Sequence, residues 1–245
     1  MYLPKLFKPD KEYRLIRLGK KNDGGYLVGI QTVNASTHLI SLGIKDDWSF
    51  EKDFLKQNHI DSVCIDSENI LDILKKKFRS DIKSSILSLN LIKLIKNILI
   101  FLDYLSFKKK TKFIKKKIST GDLNQLISKI NSDKIFLKID IESSEYSILN
   151  EIIQNQKKIV GLVIEFHDLD KNMNVIIDFI KKFKLKITHL HANNFSKVDK
   201  DENMKIIEMS FEKNPEVIGN DKIFPNDLDM KNWKRGPEIK FNFYE

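Results

Sequence analysis

The sequence predicts an α/β fold in which a mostly parallel sheet, closed by an antiparallel strand, is flanked by helices. Short apolar runs rich in β-branched residues alternate with segments of helical period, which is typical of βαβ units. Several of these runs end in polar residues, as strands do at a ligand-binding edge of a parallel sheet. The tail holds the runs MKIIEMSFEK and IKFNF and the turn-rich FPNDLDMKNW, which fit closing antiparallel strands.

Composition is compatible with one large core. The chain has 245 residues, 41% of them hydrophobic, and we expect a single domain over residues 1–245. Its formal charge of +9 would suit a polyanion, but we interpret it as a solvated basic surface and expect no nucleic-acid partner. The single cysteine, Cys64, lies in an apolar run and fits a core residue in a reducing compartment. The N-terminus lacks the apolar core of a signal peptide, so we expect a cytoplasmic protein.

The first half of the chain carries glycines and an acid at positions that suit nucleotide binding. Gly24 and Gly25 form a predicted hairpin turn within residues 12–28, and adjacent glycines also let backbone N–H groups approach an anion. Gly43 follows the next predicted strand, and Asp66 ends the strand after that, about 20 residues further on. An acid there accepts hydrogen bonds from ribose hydroxyls. A helix N-cap at Asp66 or Ser67 is an equally plausible explanation from this stretch alone.

Residues 81–117 interrupt the alternation. The long apolar part contains Lys93, Lys96 and Asp103, so it has no uncharged span of about 20 residues and predicts no transmembrane helix. The lysine runs KKKTK and KKK follow directly. An apolar helix beside lysines could lie on an anionic membrane, form a dimer interface or cover a cleft. We favour an inserted lid or an interface, and the interface version would allow a homodimer through residues 81–117.

Polar side chains end three successive predicted strands in the second half of the chain: Asp140, Glu142, Glu165, His167, His191 and Asn193. Alternate residues of a strand share a face, so Glu165 and His167 point together, as do His189, His191 and Asn193. This group could act as general base on a hydroxyl or bind a divalent metal. We favour acid–base catalysis without a metal, because the sequence has no closely spaced metal-ligand motif such as H-x-x-x-H. If a metal is present, the predicted ligands are Asp140, Glu142, His167 and His191.

Several segments, in this order, resemble the FkbM-like family of S-adenosylmethionine-dependent methyltransferases. They are RLGKKNDGGYLV, LISLGIKDDWSFE, LKIDIESSEY, LVIEFH, HLHANNF and FPNDLDMKN, and they span most of the chain. Where such proteins usually carry two further glycines, this chain has Lys45 and Ser143. The resemblance implies a Rossmann-like class I methyltransferase sheet, mostly parallel with an antiparallel closing strand, and a helical insertion at about 81–117.

The resemblance also implies roles for site residues. Gly43 would abut S-adenosylmethionine, Asp66 would hold its ribose, and Asp140 would stand near the sulfonium. The methionine end would be lined by Gly24, Gly25 and Tyr26. His167 is the first choice as base, with His191 and Asn193 orienting the acceptor.

The activity implied is O-methylation of a sugar or sugar-phosphate hydroxyl, in the biosynthesis of a capsule, another surface polysaccharide or a small molecule. The acceptor would be a saccharide or a phosphorylated metabolite, attracted by clustered lysines. Two alternatives stay open. One is N-methylation of a small amine or phosphoramidate, and the other is a basic binding module that has the fold without turnover.

Overall fold

Strands and helices alternate along the chain. The computed structural model describes residues 1–88, 91–195, 205–220 and 224–245. The strands are β1 (Tyr2–Pro4), β2 (Glu12–Tyr13), β3 (Leu15–Gly19), β4 (Gly25–Gly29), β5 (His38–Leu42), β6 (Asp61–Asp66), β7 (Lys112–Lys115), β8 (Ile135–Ile139), β9 (Ile159–Phe166), β10 (Lys186–Ala192), β11 (Ile207–Glu212), β12 (Val217–Gly219) and β13 (Asn242–Tyr244). The α-helices are α1 (Ile30–Ala35), α2 (Ser49–Gln57), α3 (Ile70–Ser88), α4 (Leu91–Lys108), α5 (Asp122–Ser128), α6 (Leu149–Gln154) and α7 (Leu169–Lys182), with 3-10 turns at Lys5–Phe7 and Glu145–Ile148.

The main sheet has seven strands within the described residues, in the order β10-β11-β9-β8-β5-β6-β7. The pairs from β7 to β9 are all parallel, whereas β11 lies antiparallel between β9 and β10. The predicted α/β class, with its mostly parallel sheet and antiparallel closing strand, is therefore confirmed. Because the parallel strands run the same way, their carboxyl ends meet at one edge.

Burial on both faces explains the apolar strands. All of β8 is buried, and its side chains divide between two hydrophobic clusters on opposite faces of the sheet. Leu137 and Ile139 belong to the larger cluster, and Phe136 belongs to the other, where it packs edge-on against Phe54 of α2. Cys64 of β6 is buried, as predicted for a core residue.

The strands β3 and β4 form the predicted hairpin, paired from Leu15–Gly29 to Gly19–Gly25. A buried carboxylate on β11 connects this hairpin to the main sheet. Glu212 accepts hydrogen bonds from the backbone N–H of Gly29 at 2.7 Å, from the Thr188 hydroxyl at 3.0 Å and from the Thr32 hydroxyl.

The predicted insertion is a helical hairpin followed by a strand of the main sheet. Residues 81–117 contain the end of α3, all of α4 and β7, while residues 89 and 90 lie outside the described part. Asp103 of α4 accepts hydrogen bonds from the Trp48 indole at 2.9 Å and from Lys52, and Lys77 of α3 pairs with Asp46 at 2.8 Å. Over the described ranges, no helix is long and apolar enough to cross a membrane.

Two local expectations differ from the structure. The adjacent serines Ser143 and Ser144 are a helix-cap signal that predicts a helix beginning at Ser143. The first helical turn instead begins at Glu145, because Glu142 and Ser143 adopt left-handed φ values of 51° and 67°. The run IKFNF was expected to close the sheet antiparallel, but its end forms β13, which pairs in parallel with β1 outside the main sheet. Both outcomes depend on contacts that are distant in sequence.

Candidate active site

A cavity of about 470 Å³ opens at the carboxyl edge, between the ends of β5, β6 and β8. Its size suits a small-molecule ligand, since such pockets measure about 300–1,000 Å³. The residues that line it include three of the predicted cofactor contacts: Gly43, Asp66 and Asp140. The cavity lies at the edge where ligands bind in open parallel sheets.

Gly43 is required by the backbone beside it. It has a φ of 80°, and a Cβ built on it would lie 1.7 Å from the carbonyl oxygen of Asp140. A side chain at this position would therefore clash with the backbone of Asp140. The glycine brings the ends of β5 and β8 into contact at the cavity wall.

Asp66 organises the loop that follows β5. Its Oδ2 accepts the backbone N–H groups of Ile44 at 2.9 Å and Lys45 at 2.8 Å, and its Oδ1 accepts that of Glu68 at 2.8 Å. Asp66 therefore holds local backbone while it lines the cavity, but it does not cap α3, whose first turn is capped by Asn69. Its predicted contact with a ribose stays a prediction. A carboxylate offers about four lone-pair sites, so one remains for a ligand hydroxyl.

His167 follows β9 and is oriented by Glu145. The Glu145 Oε1 accepts the backbone N–H of His167 at 2.8 Å and lies 3.2 Å from its Nδ1. This leaves Nε2 directed at three other acids, 3.7 Å from Glu142, 3.8 Å from Asp140 and 3.8 Å from Glu165. Burial would lower the pKa of His167, but the hydrogen bond and the charge of Glu145, with Asp140 and Glu142, raise it above the usual value.

Tyr26 links the N-terminal hairpin to the same acids. Its hydroxyl lies 3.3 Å from Oε2 of Glu165 and 3.5 Å from Oδ2 of Asp140. Lys138 lies beneath them, buried in β8, with its Nζ donating to the Gly43 carbonyl and lying 3.7 Å from Asp140. Tyr26 and Asp140 therefore lie next to each other, while their predicted contacts with the cofactor stay a prediction.

The carboxylates outnumber the cations that face them. Burial raises the pKa of Glu165 well above its usual range, and the negative charges of Asp140, Glu208 and Asp23 raise it further. Only Lys138 among the named neighbours acts in the opposite direction. A ligand that carries positive charge would relieve this repulsion.

The predicted acceptor residues divide between two places. Asn193 joins the acids, since its amide donates to Glu165 at 3.2 Å and reaches Asp23 at 3.4 Å. His191 instead lies against Glu208, with Nδ1 at 3.4 Å, and against Glu238 of the tail, with Nε2 at 3.6 Å. The rings of His191 and His189 stack on one face of β10, as the strand period predicts.

Gly24 lies in the turn of the hairpin, and Gly25 is the first residue of β4 after it. A Cβ on Gly25 would lie 2.0 Å from the carbonyl oxygen of Lys20, so the turn itself demands glycine. Neither glycine is among the residues that line the 470 Å³ cavity. Their predicted contact with the methionine end of the cofactor therefore stays a prediction.

Three side chains are close enough together to hold a metal ion. Ligand atoms of Asp140, Glu165 and His167 lie within 4.8 Å of one another, and this is the group that the described residues provide. Of the four predicted ligands, Asp140 and His167 belong to this group, whereas Glu142 and His191 do not. Its third member is Glu165. His191 belongs to the neighbouring network on β10 and β11, because its strand is separated from β9 by β11.

Both positions that depart from the glycines of the resembled family adopt left-handed backbone conformations. Lys45 has a φ of 50° and Ser143 a φ of 67°. The Lys45 ammonium pairs with Glu142, itself at a φ of 51°, and Ser143 donates to Asp168 at 2.9 Å. Glycine adopts this conformation without a Cβ penalty, which explains the family pattern physically.

The strand order decides the fold. Counted along the main sheet, it runs third, second, first, fourth, fifth, seventh and sixth, with the seventh strand antiparallel. This is the Rossmann-like fold of class I methyltransferases. No family model matches the sequence, and no curated protein matches it.

Solved structures with similar folds include several methyltransferases. TrmK of M. capricolum, in complex with S-adenosyl-homocysteine, is 14% identical, with 82% of this chain and 73% of that chain covered and a TM-score of 0.39. An rRNA methylase from Streptococcus thermophilus is 10% identical, with 75% and 91% covered and a TM-score of 0.40. A precorrin-6y C5,15-methyltransferase from Geobacter metallireducens is 8% identical, with 75% and 84% covered and a TM-score of 0.40.

Sequence reasoning missed two buried charges of the site. Glu145 is fully buried, and the serines before it suggested only a helix start. Lys138 is 5% exposed in the middle of an apolar strand, and that charge was itself a signal, because a lysine is buried only where it has partners.

Proposed function

We propose that this protein is an S-adenosylmethionine-dependent methyltransferase that methylates a hydroxyl of a sugar or sugar phosphate. The observation that carries the proposal is the oriented pair of Glu145 and His167, which stands beside a cavity at the carboxyl edge of the sheet. The resemblance to FkbM-like enzymes supports the same assignment. Cytoplasmic location and the absence of a nucleic-acid partner belong to this proposal as well.

Residues of the cavity, together with Tyr26 beside Asp140, would suit the cofactor. Asp66 would accept hydrogen bonds from the ribose hydroxyls, with Gly43 against the adenosine and Tyr26 toward the methionine end. The carboxylates of Asp140, Glu142 and Glu165, which lie within 3.8 Å of the His167 ring, would favour the positive charge of a sulfonium. When bound, the cofactor supplies an activated methyl group on that sulfonium.

His167 would accept the proton of the acceptor hydroxyl at Nε2. Glu145 fixes the ring by binding the Nδ1 side, so Nε2 is the nitrogen that faces the cavity acids. The raised pKa of His167 makes it a stronger base, and Glu145 stabilises the imidazolium that forms. Asn193, which donates to Glu165, would orient the acceptor together with His191.

The first experiment measures cofactor binding. We expect S-adenosylmethionine to raise the Tm by several degrees at about 100 times its Kd, because ligand binding to the native state adds about 2.7 kcal/mol. Asp66→Ala, which removes the carboxylate lining the cavity, should abolish most of this shift. A Tm that does not move at millimolar cofactor would reject the methyltransferase and favour the basic binding module.

The second experiment measures turnover as S-adenosyl-homocysteine formed with a panel of sugars, sugar phosphates and small amines. His167→Gln should lower kcat with hydroxyl acceptors about 10²–10⁴-fold while the cofactor-induced Tm shift is retained. Glu145→Gln, which keeps the shape of the orienting group, should give a smaller loss. Unchanged kcat in His167→Gln would remove the base assignment. Turnover with amines alone would establish the N-methyltransferase alternative.

A metal-assisted version of the reaction rests on Asp140, Glu165 and His167. These three could hold a divalent cation, which would polarise the acceptor hydroxyl directly. Activity that survives exhaustive chelation supports the metal-free base. Activity that is lost and then restored by Mg²⁺ or Mn²⁺ supports the metal.

A further inference from the structure

Helix α4 presents an apolar face to solvent. Leu99 is 60% exposed, Leu102 is 55% exposed and Ile92 is 79% exposed. Further exposed members of this face are Ile95, Ile98, Phe101 and Leu105. The spacing of 92, 95, 99 and 102 places these side chains in one stripe along the helix. We call this stripe the α4 face.

The α4 face is the outer side of a helix whose inner side is well packed. Tyr104 and Phe107 are buried and make edge-on or tilted ring contacts with Trp48 and Phe113. Asp103 is held from the domain side by Trp48 and Lys52. The helix is therefore fixed on the domain, and its apolar stripe is held outward.

The charges of α4 and of the residues directly after it are nearly all positive. The acids elsewhere in the chain that share a cavity with Leu99 each pair with a lysine: Asp46, Asp47 and Asp53. Exposed lysines occur on the helix and directly after it: Lys96, Lys108, Lys109, Lys110 and Lys112. In the sequence from 91 to 117, the sole acid is Asp103, which is turned toward the domain. A second copy of the chain would bring these lysines together without acids of this segment to pair with them. An anionic lipid surface offers the complementary charge.

An apolar stripe flanked by lysines on a helix too polar to span a bilayer is the pattern of an in-plane amphipathic helix. The aliphatic part of a lysine side chain can lie along the acyl boundary while its ammonium group reaches the phosphates of the lipid headgroups. We infer that the α4 face docks this protein onto an anionic lipid bilayer, with Leu99 and Leu102 inserted at the acyl boundary.

The test is flotation of this 245-residue chain with vesicles of phosphatidylcholine alone or of phosphatidylcholine with about one third phosphatidylglycerol. We expect binding to the anionic vesicles only, weakened by added salt because screening reduces lysine attraction. The double variant Leu99→Glu/Leu102→Glu should bind at least about tenfold more weakly, because two apolar anchors are lost. The matched control is Val217→Glu/Ile218→Glu, which adds the same charge at two half-exposed positions of β12 and should bind as the wild type does.

Two further measurements keep the result interpretable. The cofactor-induced Tm shift should be equal in both double variants, since neither pair lies in the candidate active site. Sedimentation measures the oligomeric state. The inference is overturned if the wild type does not bind to anionic vesicles, or if the two double variants lose vesicle binding to the same extent. It is also overturned if the wild type is a dimer in solution that Leu99→Glu/Leu102→Glu dissociates, because a second copy then covers the α4 face.

Discussion

At the scale of single residues, the loops at and beside the cavity contain backbone conformations that residues other than glycine rarely adopt. Lys45, Glu142 and Ser143 all have positive φ values, although none of them is a glycine. Such residues cost about 1–2 kcal/mol each unless their surroundings compensate. Lys45 and Glu142 have their ion pair as compensation, whereas Ser143 has a hydrogen bond to Asp168 near the surface.

Ser143→Gly should stabilise the protein. Removing the Cβ at a φ of 67° relieves strain that exceeds the entropy cost of glycine, and we expect a gain of about 0.5 kcal/mol in the free energy of unfolding by urea. Ser144→Gly is the control, since Ser144 has a φ of −85° and should lose about 0.5–1 kcal/mol. Equal destabilisation by both substitutions would show that Ser143 is not strained.

At the scale of elements, β10 and β11 carry a buried network of histidines and acids. His191 faces Glu208 on the neighbouring strand and Glu238 on the tail, and His189 lies 2.8 Å from Asp229. The tail residues 224–245 therefore contact β10 through ion pairs. The sequence predicted that His189 and His191 share a face, but their partners come from segments distant in sequence.

His191 should make stability fall at alkaline pH. Burial would lower its pKa, but Glu208, Glu238 and Asp229 raise it to about 10. A raised pKa means that the native state holds the proton more tightly. Its contribution is complete below the unfolded value of about 6.5 and is lost as the pH rises through about 10.

Between these values the free energy of unfolding should fall by about 1.4 kcal/mol per pH unit from this group. His191→Gln should flatten that decline, and urea unfolding of both proteins from pH 6 to pH 10 measures the difference. Parallel pH profiles for the two proteins would show that His191 does not hold its proton in this way.

At the scale of the whole molecule, the N-terminal hairpin closes one side of the candidate active site. It brings Tyr26 to Asp140 and Glu165, and Glu212 on β11 holds it through Gly29. Because Glu212 is 2% exposed, its hydrogen bonds are made away from water. The hairpin and the sheet therefore depend on one buried carboxylate.

Glu212→Ala should destabilise the whole protein by about 3 kcal/mol or more. The substitution leaves the Gly29 N–H and the Thr32 and Thr188 hydroxyls without their buried acceptor. Glu216→Ala is the control, because Glu216 pairs with Arg14 near the surface and should cost no more than about 1 kcal/mol. Equal Tm values for the two variants would contradict this role of Glu212.

The sequence by itself determined the alternation of strands and helices, the hairpin at residues 12–28, and the polar residues that end the strands. These features depend on local propensity and on the period of the apolar pattern, and both can be read directly from the order of the residues. Asp140 and His167 could be placed at one edge because parallel strands end together.

Only the tertiary structure decided which side chains meet. It inserted β11 between β9 and β10, paired Glu145 with His167, and buried Lys138 beneath Asp140. It also placed Lys45 and Ser143 in left-handed conformations at positions where the resemblance expected glycine. The physical reason is that strand order, buried ion pairs and backbone strain are set by contacts between segments far apart in sequence.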